Sequence, residues 1–316
     1  MPSTKECRLR ISVRLARGIL LAAMFGPALV DAQTRTAQEH FRSPQAAADA
    51  LLEACKNNDS EALIRILGER YRGHIATIDD AVERRNRRML YLMAQARLEI
   101  QEEGDAKAVL VLGRIQWPIP VPLVKGTEGW HFDFDLGLEE IRARRIGAHE
   151  LVAIQTCREY VRIQTQYAAV DRDGDEVREY AQRLVSNPGK QDGLYWEPAP
   201  GSNAPPSPLA SLAPESFMDW AKPDAGAPLM GYHYRILTQQ GKNPPGGEYD
   251  YLINGNMIAG FALVAWPAEY RESGVMTFVI SHQGKLFEKD LGPDTAERVE
   301  AMTEYNPDAS WELVED

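Results

Sequence analysis

Three carboxylates on alternate residues, Asp171, Asp173 and Asp175, form the densest group of ligand atoms in the chain, within Asp171-Arg-Asp-Gly-Asp-Glu176. Oxygen donors converging from one turn suit a hard cation, calcium above all. An EF-hand loop places Gly sixth and Glu twelfth, whereas Gly174 is fourth and Gln182 twelfth here, so the same residues also read as a polar turn that ends a helix. A second candidate is Gly231-Tyr-His-Tyr-Arg235. Alternation along a strand puts Tyr232 and Tyr234 on one face and His233 and Arg235 on the other, which makes either a ligand surface or a half-buried strand. Cys55 and Cys157 are the third: one disulfide can form after export, or each is a small buried thiol in its own helix.

Other catalytic patterns are missing. The sequence has no Gly-x-Ser-x-Gly elbow and no Ser-x-x-Lys pair, and both cysteines sit on apolar helix faces, unlike reactive thiols. His40, His74, His131, His149, His233 and His282 are scattered without metal-ligand spacing. Gly246-Gly247 and Gly255 do not join a strand to a helix, as a phosphate cradle requires. These absences lean away from an enzyme, and calcium is the one cofactor to consider.

Where such groups would work is set by the N-terminus. Lys5, Arg8, Arg10, Arg14 and Arg17 precede an apolar run from Gly18 to Val30 and the small-residue triplet Val30-Asp31-Ala32. That is a signal peptide over 1–32, cut between Ala32 and Gln33 and followed by a polar spacer over 33–42. The run is shorter than the roughly 20 residues a membrane helix needs, and it carries neither the Cys of a lipoprotein nor the retained tail of a pilin. A periplasmic or secreted protein with no membrane span after processing is expected. Removing 1–32 takes five basic and two acidic residues off the formal −11 and leaves −14. That balance disfavours nucleic acid and anionic membrane surfaces as partners.

The elements that must position the candidates read as α+β. Ser43-Pro44 and Asp59 start two helices, the second stopped by Gly68. A third, from near Asp79 to Ile100, carries Arg84, Arg85, Arg87 and Arg88 on a solvated face. Val109–Val111, a proline-bearing edge strand over Trp117–Val124 and its partner Gly129–Asp133 follow. A helix from Leu138 to Arg145 is broken at Gly147, another runs from Glu150 to about Val170, and a short one starts at Tyr180. Residues 186–230 hold nine of the chain's twenty prolines, but Leu194, Tyr195, Trp196, Phe217 and Trp220 need burial, so an ordered excursion is expected and not a tether. Strands at 232–237, 249–253, 260–266, 275–281 and 285–291 form an antiparallel meander, closed by a helix over 293–302.

Helices followed by a hairpin ending in Trp130-His-Phe-Asp133 resemble the nuclear-transport-factor-like (NTF2-like, cystatin-like) cone, over residues 41 to about 135. A long helix, an excursion and a sheet ending in the hairpin of Phe278, Gly284 and Phe287 look like the globular half of type IV pilins. The division expected is 43–147 and 148–316, the latter holding the excursion 186–230. Trp117-Pro-Ile-Pro-Val-Pro-Leu-Val-Lys125, Ala143-Arg-Arg-Ile-Gly147, Asp192-Gly-Leu-Tyr-Trp196, Gly260-Phe-Ala-Leu-Val-Ala-Trp-Pro267, Ser273-Gly-Val-Met-Thr-Phe278 and Lys289-Asp-Leu-Gly-Pro-Asp-Thr295 together resemble an exported bacterial family, domain of unknown function 2950. That resemblance implies export and brings no catalytic residues. A non-enzymatic envelope protein that binds a partner protein or surface polymer through its β-rich C-terminal half is expected. The alternative is a small-ligand binder or hydrolase with a pocket within 41–135.

Overall fold

Ser43 and Asp59 open the first two helices as their side chains allow. Ser43 Oγ accepts from Ala46 N at 3.2 Å and Asp59 Oδ1 from Ala62 N at 2.9 Å. These start α1 (Pro44–Asn57) and α2 (Ser60–Leu67), and a 3-10 turn then leads to α3 (Arg72–Ile75) and α4 (Asp80–Ala96). The computed structural model describes residues 38–75, 80–197, 206–211 and 228–315. The signal segment, Asp79, Phe217 and Trp220 lie outside them.

The third helix ends at Ala96, not at Ile100, because Leu98–Glu102 is a strand, β1, paired antiparallel with β2 (Lys107–Leu112). Ile100 faces Leu110 in that ladder. Pairing satisfies the backbone and keeps Leu98 and Ile100 on the core, which continuing the helix would not. The expected proline edge strand is split in two: β3 (Trp117–Pro118) lies on β2, and β4 (Leu123–Gly126) pairs with β2 and β5 (Gly129–Phe132). Pro118, Pro120 and Pro122 have no N–H to give a continuous ladder. Phe41 extends the sheet past β5 with two backbone bonds to Trp130, at 2.7 and 2.8 Å. A Cβ at Gly129 would stand 2.6 Å from the Phe41 carbonyl, and its φ of 122° also favours glycine. Leu51, Ile64, Leu110, Leu123 and Phe132 fill this first core.

A single helix, α5 (Phe134–Tyr167), follows. The break expected at Gly147 does not occur. A helical Gly costs about 1 kcal/mol relative to Ala, and contacts on either side of it hold the helix. Arg142 and Arg145 both pair with Glu272 at 3.0 Å, His149 Nδ1 donates to the Ser273 carbonyl at 2.9 Å, and Glu150 Oε1 accepts from Val275 N and Met276 N at 2.9 and 3.0 Å. The boundary drawn at 147/148 therefore falls inside a continuous helix.

The short helix expected at Tyr180 is also replaced. Gln164 of α5 takes both backbone groups of Ala181, and Tyr180 N donates to the Met257 carbonyl, so the segment is extended. Leu194, Tyr195 and Trp196 are buried, as their types require. The sheet beyond consists of β6 (Tyr232–Leu237), then small pairs β7 (Gln239–Gln240) with β8 (Tyr249–Asp250) and β9 (Leu252–Ile253) with β10 (Asn256–Met257), then β11 (Ala262–Pro267), β12 (Met276–Ser281) and β13 (Leu286–Asp290). Helix α6 (Thr295–Glu300) and β14 (Glu312–Leu313) complete it, and the main sheet runs β14-β13-β12-β11-β6, all antiparallel. Its core, with Tyr160, Ile163, Tyr232, Phe261 and Phe278, is distinct from the first. The fold is α+β, and no described helix is long and apolar enough to cross a membrane.

Candidate functional site

The strand Tyr232–Arg235 is where a ligand surface was expected, and its side chains are spent on packing. Tyr232 is fully buried, its hydroxyl donates to the Met276 carbonyl at 2.9 Å, and its ring lies 5.9 Å from that of Phe278. Tyr234 shares that face, toward Cys157, and burial pushes its hydroxyl well above the usual tyrosine range. On the opposite face His233 stacks on Trp266 at 5.4 Å. Arg235 donates to the carbonyls of Val299 and Met302, so it caps the C-terminal end of α6.

Cys55 and Cys157 are free thiols, one in each core, and no disulfide joins them. Burial pushes the Cys55 thiol up to about 11 and Cys157 higher still. Both are expected to stay unreacted with a thiol reagent at pH 8 in the native protein and to react in denaturant. Counting labelled cysteines with and without urea checks this.

Asp171, Asp173 and Asp175 do converge, with carboxylate oxygens within 4.8 Å of one another. Much of their capacity is used locally. Asp171 accepts from Gly174 N and Glu176 N at 2.8 and 3.0 Å, and Asp175 from Val177 N at 2.8 Å and Asn256 Nδ2 at 2.7 Å. The backbone bond from Gly174 is the largest influence holding the Asp171 carboxyl below its ordinary value. Of the six oxygens the three carboxylates carry, the fewest calcium takes, four already accept these hydrogen bonds, and the cluster forms the turn that follows α5.

A cleft lies elsewhere, on the face of the main sheet that carries α6. Val279 of β12 forms its floor, Met302, Pro307 and Trp311 its apolar walls, and Thr303, Glu304 and Asn306 its polar rim, around about 300 Å³. The rim is held in place. Glu304 Oε1 accepts from Asn306 Nδ2 at 2.7 Å, Asn306 Oδ1 accepts from Asn243 N at 3.0 Å, and buried Tyr305 is bonded to Gln239 and Gly241 through its backbone. A Cβ on Gly241 would come within 2.3 Å of Asn306 and 2.6 Å of Glu304, so glycine there lets the rim close. Lys289 sits 5.9 Å from the Trp311 ring centre and donates to Ser310 Oγ at 2.6 Å, which steadies the indole. A broad apolar ring beside an amide and a carboxylate can hold a ligand that has an apolar face and several hydroxyl or amide groups.

A protein family described as "Protein of unknown function (DUF2950)" has a model that matches residues 38–314. The chain belongs to this family. No curated protein and no solved structure matches it. The matched region takes in both cores, the acidic turn and the whole cleft, so the cleft is part of the family's domain.

Sequence reasoning missed Trp311, Glu304 and Asn306. The available signal was a solitary Trp in a polar stretch, Met302-Thr-Glu-Tyr-Asn-Pro-Asp-Ala-Ser-Trp311, just past the last helix. Elsewhere in the family domain, three histidines are half-buried. His131, His233 and His282 are each held below the ordinary value of 6.5, mainly by burial, and neighbouring His40 pushes His131 the same way. The unfolded chain then binds protons that the folded one refuses. Stability is full above pH 6.5 and falls as the pH drops through the histidines' unfolded value toward their folded ones. The urea midpoint is expected to be level above pH 7 and to decline below 6.5.

Proposed function

We propose that the protein is exported to the bacterial cell envelope, periplasmic or secreted, and there binds a glycan polymer without chemically changing it. The cleft beside Trp311 carries this reading. Pyranose rings present an apolar face to an indole while their hydroxyl and acetamido groups meet amides and carboxylates such as Asn306 and Glu304. Glycoside hydrolysis takes a pair of carboxylates. Among the described residues the cleft lining has one, Glu304, and no His, Cys, Ser or Lys, which supports binding over catalysis.

The export reading rests on residues 1–32. Protein recovered from the periplasm of an expressing bacterium should begin at Gln33. We read the helices and sheet before α5 as an NTF2-like cone and α5 with the main sheet as the counterpart of a pilin's globular half, and the division between them is part of this proposal.

Co-sedimentation with purified peptidoglycan sacculi tests the binding. Wild-type protein should pellet with the sacculi, and Trp311→Ala should lower the affinity at least about 30-fold, as for a central aromatic anchor. Absence of wild-type binding, or equal binding by the variant, would overturn the reading.

A further inference from the structure

The arginine run of α4 divides between two faces. Arg87 points inward, 6% exposed, and donates to Asn58 Oδ1, Ser60 Oγ and the Ile75 carbonyl at 2.8, 2.8 and 3.0 Å. The opposite stripe, at helical spacing, holds Val82, Arg85, Met89 and Leu92 with Arg88 at its flank. Val82, Met89 and Leu92 are 48%, 53% and 51% exposed, which is unusual for three apolar residues on one face of a helix. Arg85 and Arg88 are exposed and form no ion pair among the described residues.

We infer that this face of α4 docks on an anionic lipid surface, with Met89 and Leu92 entering the headgroup boundary and Arg85 and Arg88 meeting lipid phosphates. The charges select the occupant: two exposed guanidinium groups, without an ion pair among the described residues, beside an apolar row complement a surface that is both phosphate-rich and apolar beneath. The size agrees. Three apolar side chains on a convex helix fall far short of the roughly 800 Å² that a stable protein partner buries on each side, whereas interfacial binding adds a shallow apolar row to charge attraction. The net charge of −14 on the exported chain opposes such contact at long range. Charges more than about 8 Å away are screened at physiological salt, so the local arginines decide. The attachment is peripheral because it is made by exposed side chains on one face of α4. It stands independently of the glycan cleft.

Flotation of the exported full chain with vesicles tests it. Binding is expected to phosphatidylglycerol/phosphatidylcholine vesicles and not to pure phosphatidylcholine, and it should weaken in 0.5 M salt. The double variant R85Q/R88Q should lose about 30-fold in affinity, at roughly fivefold per arginine. M89S/L92S should also bind more weakly. These positions are exposed, so folding should survive, and an unchanged thermal melt confirms that. Equal binding to neutral vesicles, no flotation at all, or variants that bind like wild type would each overturn the inference. So would a concentration-dependent dimer, lost in R85Q/R88Q, in a protein that ignores vesicles, which would reassign the face to a second copy of the chain.

Discussion

Replacing Tyr232 by Ala is expected to destabilise the protein by about 3–5 kcal/mol, the usual cost of removing a buried aromatic ring. Tyr232 is fully buried against Phe278, and the loop at Gly274 is shaped to it: a Cβ on Gly274 would stand 2.2 Å from the Tyr232 hydroxyl. The hydroxyl itself adds one bond, to the Met276 carbonyl. Tyr232→Phe should therefore cost only about 1 kcal/mol. Urea unfolding of the three proteins separates the two contributions. A loss below 1 kcal/mol for the Ala variant would mean that β6 is a surface strand after all.

Arg235→Met is the second large effect, expected at about 2–4 kcal/mol. Its guanidinium donates to the Val299 and Met302 carbonyls at the end of α6, and charge-assisted bonds of this kind contribute about 1.5–3 kcal/mol each. Met keeps the apolar stem, so the loss reports the head group. Met302 is also a wall of the cleft. The same variant should then weaken glycan binding without touching the ligand, and faster amide exchange over 295–303 should accompany it. Arg235→Lys should recover only part of both, because an ammonium cannot span two carbonyls with a planar fork.

Much of the architecture was legible in the sequence because it is written in local chemistry. Ser43 and Asp59 cap helices wherever the chain goes next, and the alternation in 232–237 and the short apolar runs 262–267 and 276–281, bounded by turn residues, read as strands. What was misread depends on distant partners. Gly147 looked like a break, yet Glu272 and Ser273, more than a hundred residues away, hold the helix through it. Ala181 looked helical until Gln164 claimed its backbone. The strand Tyr232–Arg235 displays the right residue types for a binding face, but its partners on both sides, Phe278 and α6, come later in the chain and consume it. The cleft stayed hidden for the converse reason. Its walls come from β12, the end of α6 and the segment before β14, and no single stretch carries a pattern that betrays it.

Hydrogen–deuterium exchange with a soluble peptidoglycan glycan fragment tests the central claim most directly. The cleft reading predicts slowed exchange over Ala301–Trp311 on adding the fragment, with no change at Tyr232–Arg235 or at the turn of Asp171–Asp175, and no slowing in Trp311→Ala. Binding that protects another region and leaves 301–311 unchanged would contradict it.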